Sequence, residues 1–257
     1  NLYLFGLAPE DEARRVAERA WADGHRQVLM LAPKGEWGER VTQAFRRRWE
    51  ALGGRVLETQ RYAPEGRDYN ATLRRLLNID EAQDRAQRLQ ERIKRPVKSA
   101  SRSRQDADLI FLAAPQPQQA RQVGPLMRYF SASQIPVYAT SHIYSGRPEP
   151  SADRDLDGMV FCDMPWVLKP EAEDVAPLRQ ALAQTSSTSD AYTRLHALGV
   201  DAYGLIEKWG ALTAASSHAT AAPTHAGKSG RLQMDEDRRV QRELLCARFV
   251  DGIPSLL

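Results

Sequence analysis

The chain has 257 residues, 42% of them hydrophobic, and a formal net charge of +3. That length accommodates one large domain or two medium ones, and no run approaches the roughly 18 unbroken apolar residues of a membrane helix. Thirty of the 36 basic residues are arginine, spread over the whole sequence rather than gathered with aromatics on one face, which argues against nucleic-acid recognition.

The sequence starts at Asn1 and runs directly into the strand-like Leu2-Tyr3-Leu4-Phe5, so it reads as a piece of a longer protein, and a missing signal peptide carries no information. Between Pro9 and Gly24, Ala13, Val16, Ala17, Ala20 and Trp21 recur at helical spacing, which predicts an amphipathic helix over Glu10 to Trp21. Val28-Leu29-Met30-Leu31-Ala32 is a continuous apolar run of the kind a parallel strand shows when both its faces are covered. The alternation repeats with a helix from Glu36 to Leu52, a stop at Gly53-Gly54, a strand from Arg55 to Gln60 and a short helix from Asn70 to Leu77. Leu109 to Ala113 then reads as a buried strand, Gln118 to Phe130 as a helix and Ile135 to Ala139 as another strand. Such an order predicts a parallel sheet with right-handed crossovers and helices on both faces.

Two segments depart from this rhythm. Ile79 to Arg104 is too long for a simple connection and reads as an insertion; Ile79, Ala82, Ala86, Leu89 and Ile93 give it a helix with a narrow apolar seam ending near Pro96. Ala214 to Gly230 is rich in Ala, Ser, Thr and His and is expected to be disordered. Before it lies a helix from Ala191 to Trp209; after it, a hairpin of Gly230 to Met234 and Val240 to Val250, turning at Asp235-Glu236-Asp237. Cys162 and Cys246 each sit in an apolar run without metal-ligand or redox spacing and read as core residues.

The usual catalytic constellations are missing. Gly227-Lys228-Ser229 invites a phosphate-loop reading, but Ala222 stands where that loop needs its first glycine. There is no nucleophile elbow, no dinucleotide fingerprint and no helical histidine pair, so the chain is read as a non-enzyme with no cofactor and no metal. From Arg85 to Arg104, eight positive charges face Glu91 alone. Such a run is either a solvated face or a docking element for an acidic surface, with Arg88, Arg92, Lys94 and Arg95 as its candidates.

The helix after Pro9, the strand ending in Ala32-Pro33 and Glu36-Trp37-Gly38-Glu39 opening the next helix resemble a type I periplasmic binding protein. A closer likeness follows from Arg102-Ser103-Arg104-Gln105-Asp106-Ala107-Asp108, Val137-Tyr138-Ala139-Thr140-Ser141-His142, Asp157 through Trp166, and Leu195-His196-Ala197-Leu198-Gly199-Val200-Asp201-Ala202-Tyr203. Over nearly its whole length the chain is similar to the LpoA (LppC) family, although Cys246 departs from that family's usual tryptophan.

The resemblance implies an α/β, two-lobed fold like a type I periplasmic binding protein, with parallel sheets flanked by helices and the first lobe incomplete. Residues 9–166 and 236–257 would form lobe two, with the basic insertion at 79–104. Residues 1–8 and 167–235 would supply part of lobe one, with the loop at 214–230. It further implies a regulator that binds and activates a class A penicillin-binding protein, located in the periplasm and anchored to the outer membrane by a lipid outside this sequence. Peptidoglycan is a further candidate partner; nucleic acid is not. In amino-acid receptors of this fold an acidic residue pairs with the ligand ammonium, and His142 stands at about that place, which disfavours such a ligand. Trp37, His142 and Tyr144 are the candidates for a ligand cleft, or else simply fill it. The rival to the regulator is a periplasmic receptor for a small solute such as an amino acid or peptide.

Overall fold

The apolar runs of the first 163 residues become five parallel strands in the computed structural model, which describes residues 2–65, 69–94, 103–185, 192–214 and 224–257. They are β1 (Gln27–Pro33), β2 (Arg55–Tyr62), β3 (Leu109–Leu112), β4 (Val137–Thr140) and β5 (Val160–Asp163). Every residue of β3, β4 and β5 is buried, as expected of strands covered on both faces. Helices α1 (Pro9–Ala22), α2 (Glu36–Ala51), α3 (Asn70–Leu76), α4 (Ile79–Ile93) and α5 (Pro117–Tyr129) alternate with them. The short α6 (Pro150–Asp153) and α7 (Pro165–Leu168) precede α8 (Ala176–Thr185) and the long α9 (Thr193–Ala214). The last strands are β6 (Thr224–Ala226), β7 (Arg231–Met234), β8 (Val240–Glu243), β9 (Leu245–Val250) and β10 (Ile253–Leu256).

The large sheet runs β10-β9-β5-β4-β3-β1-β2, parallel from β2 to β5 and closed by antiparallel β9 and β10. Its β2-β1-β3-β4-β5 part is a doubly wound order, in which ligand crevices form beyond the carboxyl ends of the strands. The small sheet β6-β7-β8 is antiparallel and packs Leu232, Met234 and Val240 around Leu205 of α9. Helix α1 starts with Pro9 at its first turn, carries Glu10, Asp11 and Glu12 at the positive end of its dipole, and buries Ala13, Val16, Ala17 and Ala20.

Several expectations are corrected. The run Val240 to Val250 is two strands rather than one: it leaves the small sheet at Glu243 and enters the large one at Leu245. The closing hairpin is β9 with β10, turned by Asp251 and Gly252 in the left-handed region. Within the loop expected to be disordered, Thr224 to Gly230 forms β6 and a turn, while 215–223 lie outside the described residues. Leu2 to Phe5 does not extend as a strand; only Leu4 bridges, in parallel, to Arg239. Cys162 and Cys246 are buried, as expected of core residues, but they are also cross-strand partners of β5 and β9 joined by a disulfide.

Candidate functional site

Two parallel strands, β1 and β4, end in loops that carry the cleft candidates. After β1, the chain turns at Gly35 (φ 107°) into α2, whose first turn presses against β1 so closely that a Cβ on Gly38 would lie 2.1 Å from the Pro33 carbonyl oxygen. That approach sets Trp37 beyond the strand end, where its ring meets His142 edge-on at 5.2 Å. His142 follows β4, and its Nδ1 lies 3.5 Å from Glu12 Oε2 without forming a hydrogen bond. Trp37 and His142 therefore form one half-buried wall beyond the strand ends. Tyr144 is not on that wall: it is buried among Phe161 and Phe249, and burial raises its phenol pKa.

Behind the two rings lies a charged cluster. Glu12, on the buried face of α1, accepts hydrogen bonds from the Ser141 backbone N–H (3.1 Å) and Oγ (2.8 Å). Burial pushes its carboxyl up, but His142 beside it and the positive charges of Arg194 and Arg242 outweigh burial and hold the pKa at about 2. Asp163, the last residue of β5, receives Arg194 Nε at 3.1 and 3.2 Å on its two oxygens, and the same guanidinium donates to the carbonyls of Ser141 (3.1 Å) and Tyr144 (3.0 Å). Burial works against the Arg194 charge, but Asp163 and Glu12 more than offset it, so the arginine stays protonated. The carboxylates of Glu12 and Asp163 and the guanidinium of Arg194 are thus engaged with other parts of the same chain. Arg242 of β8, also buried, has no hydrogen-bond partner at any guanidinium nitrogen among the described residues and lies near the charges of Asp11 and Glu12.

Two turns along α9 from Arg194, Asp201 makes the second attachment of that helix. Its carboxylate accepts the backbone N–H groups of Lys228 (2.6 Å) and Ser229 (2.7 Å) and the Ser229 hydroxyl. A Cβ on Gly227 would lie 2.6 Å from Asp201 Oδ2. The Gly-Lys-Ser loop thus does cradle an anion, but the anion is the protein's own aspartate. Arg194 ties α9 to the large sheet and Asp201 ties it to the small one.

The basic candidates lie elsewhere, on and after α4. Arg88, Arg92 and Lys94 are exposed, and Arg95 lies outside the described residues. Over 79–94 four basic side chains are balanced by Asp80, Glu81, Asp84 and Glu91, so this part of the insertion is neutral. Its apolar seam is open: Ile79 is buried, but Leu89 and Ile93 are 49% and 48% exposed. Among the described residues no group of three or more His, Cys, Asp or Glu could hold a metal ion.

Sequence reasoning named Trp37 and His142 but missed Glu12, Asp163, Arg194, Asp201 and Arg242. Each is a charged residue in an apolar register: Glu12 shares a helical face with Val16 and Ala20, and Arg242 alternates with Val240 and Leu244. That pattern is a readable sign of a buried, paired charge.

The LppC lipoprotein family model matches residues 1–252. The chain belongs to the LppC family. Relatives named penicillin-binding protein activator LpoA include one from Photobacterium profundum, 30% identical over 254 residues, covering 97% of this chain and 39% of the relative. One from Edwardsiella ictaluri is 28% identical, covering 98% of this LppC chain and 37% of the relative. The chain thus spans about two fifths of the length of these curated relatives. Its fold matches the LpoA (YraM) C-domain of Haemophilus influenzae, described as a regulator of PBP1A, with a TM-score of 0.69 and 22% identity over 98% of this chain and 68% of that one. It also matches a solute-binding protein from Rhodopseudomonas palustris in complex with p-hydroxybenzoic acid, with a TM-score of 0.60 and 17% identity over 96% and 63% of the two chains. The expected α/β fold like that of the periplasmic binding proteins is the one observed.

Proposed function

We propose that this LppC-family chain is a non-catalytic regulatory module that binds a class A penicillin-binding protein and activates it in peptidoglycan synthesis. It would work in the periplasm, held at the outer membrane by a lipid anchor outside these residues. Family membership carries this reading, since relatives matched over nearly all of this chain are named as activators of such a protein. The charged cluster supports it against a solute receptor. Glu12, Asp163 and Arg194, which could grip a ligand at the carboxyl ends of the strands, are engaged with Ser141, Tyr144 and each other. A protein partner needs exposed anchors instead, and α4 offers Leu89 and Ile93 beside Arg88, Arg92 and Lys94. Peptidoglycan itself is a further candidate partner.

The second reading, a receptor for a small solute, draws on the benzoate-type receptor fold and on the Trp37–His142 pair at the strand ends. Calorimetric titrations separate the two. The regulator reading expects heat with the class A synthase of the same organism and none with amino acids, dipeptides or hydroxybenzoate. Tight solute binding lost in Trp37→Ala, with no synthase binding, would replace the regulator by the receptor.

A further inference from the structure

Beside the N-terminal half of α1, two adjoining hollows of about 520 and 330 Å3 share Asp11 and Arg14 as a common wall. Arg14, Arg40, Arg47, Arg48 and Arg239 line the first; Arg15, Arg231 and Arg242 join Arg14 in the second. Across both, eight arginines meet four carboxylates, so this one groove holds more net positive charge than the +3 of the entire chain. The carboxylates are already taken. Glu10 accepts Arg40 at 2.6 Å, Asp11 pairs with Arg14, Glu18 accepts Arg48 at 2.8 Å, and Glu243 lies 3.3 Å from Arg15 and 3.8 Å from Arg231. Arg47, Arg239 and the buried Arg242 remain; of these Arg47 and Arg239 are exposed, and none of the three has a side-chain partner among the described residues.

We infer that this groove is a docking site for an acidic peptide segment of a protein partner. Two adjoining hollows that share the Asp11–Arg14 wall of α1 suit an extended segment better than a single small anion. The free groups are arginines, whose planar forks bind carboxylates through two parallel hydrogen bonds. Carboxylates of the partner would meet Arg47 and Arg239 in the same way that Glu10 and Glu18 meet Arg40 and Arg48. The neutral stretch of α4 offers no comparable field. In the setting of the proposed function, which this inference deepens, the partner is the synthase and the groove would speed and orient its association.

The test uses the full chain, a fluorescent hexaglutamate peptide as probe and a hexalysine control. Fluorescence anisotropy should show salt-sensitive binding of hexaglutamate only. Arg47→Glu with Arg239→Glu should weaken it at least tenfold, whereas Arg88→Glu with Arg92→Glu on α4 should change it less than twofold. Both pairs are exposed, so folding should survive, which circular dichroism would check. Equal hexaglutamate affinity in the wild type and the groove variant, or no binding by the wild type, would overturn the groove. If the groove binds hexaglutamate as expected but the synthase neither binds nor responds, the acidic-segment site stands and the regulator reading falls.

Discussion

The cluster around Glu12 and the groove beside α1 are built from the same residue types a few ångströms of helix apart, yet they do opposite things. In the cluster, Arg194 and Asp163 are buried against each other and against backbone carbonyls, so each charge is consumed by the fold. In the groove, Arg47 and Arg239 are exposed and their side chains have no partner among the described residues. The difference lies in what removal would expose. A buried charge that loses its partner cannot recruit water, while an exposed arginine is solvated whether it is paired or not. The cluster should therefore carry stability and the groove should carry binding.

The sharpest way to break that distinction is to orphan the buried pair. Arg194→Ala leaves the Asp163 carboxylate buried and uncompensated, and should cost about 3–5 kcal/mol in urea unfolding. A loss below 1 kcal/mol would mean that water already reaches the cluster. Next in size is the disulfide, which closes a separation of 84 residues and ties β9 to β5. Cys162→Ala with Cys246→Ala should lower stability by about 4.5 kcal/mol on the loop-entropy argument, and reductant should do the same to the wild type.

The Glu12 carboxyl supplies a pH signature. Its folded pKa of about 2 lies below the ordinary 4.5, so its contribution is fully present above pH 4.5 and is lost as pH falls through that window toward 2. That contribution is at most about 3 kcal/mol, and Glu12→Gln should flatten the stability curve between pH 4.5 and 2. An unchanged slope would remove Glu12 from the cluster's electrostatics. Smallest of all, Arg47→Ala in the groove should alter stability by less than about 0.5 kcal/mol. A larger loss would show that the groove is part of the scaffold after all.

Much of this architecture was legible from residue order. Continuous apolar runs such as Val28 to Ala32 and Leu109 to Leu112 gave the buried parallel strands, and proline and glycine punctuation gave α1 and α2 to within a residue or two. The second half was harder. Val240 to Val250 keeps an alternating pattern across a change of sheet, because both sheets accept an inward residue at every second position and Leu244 fits the rhythm of either. The loop before Gly230 reads as low complexity, yet Thr224 to Ala226 pairs with β7 because Asp201, remote in sequence, pins the following turn. The cluster was half legible. Trp37 and His142 stand out as unusual residues near strand ends, but pairing Arg194 with Asp163 requires knowing that α9 returns to the carboxyl end of β5, a contact that no local pattern encodes.

The most direct measurement is the rate of peptidoglycan cross-linking by the class A synthase of the same organism, with and without this purified, folded chain. The account predicts binding and a faster transpeptidation rate that rises to saturation with added chain. A folded chain that neither binds the enzyme nor changes its rate would contradict it and return attention to the crevice between Trp37 and His142.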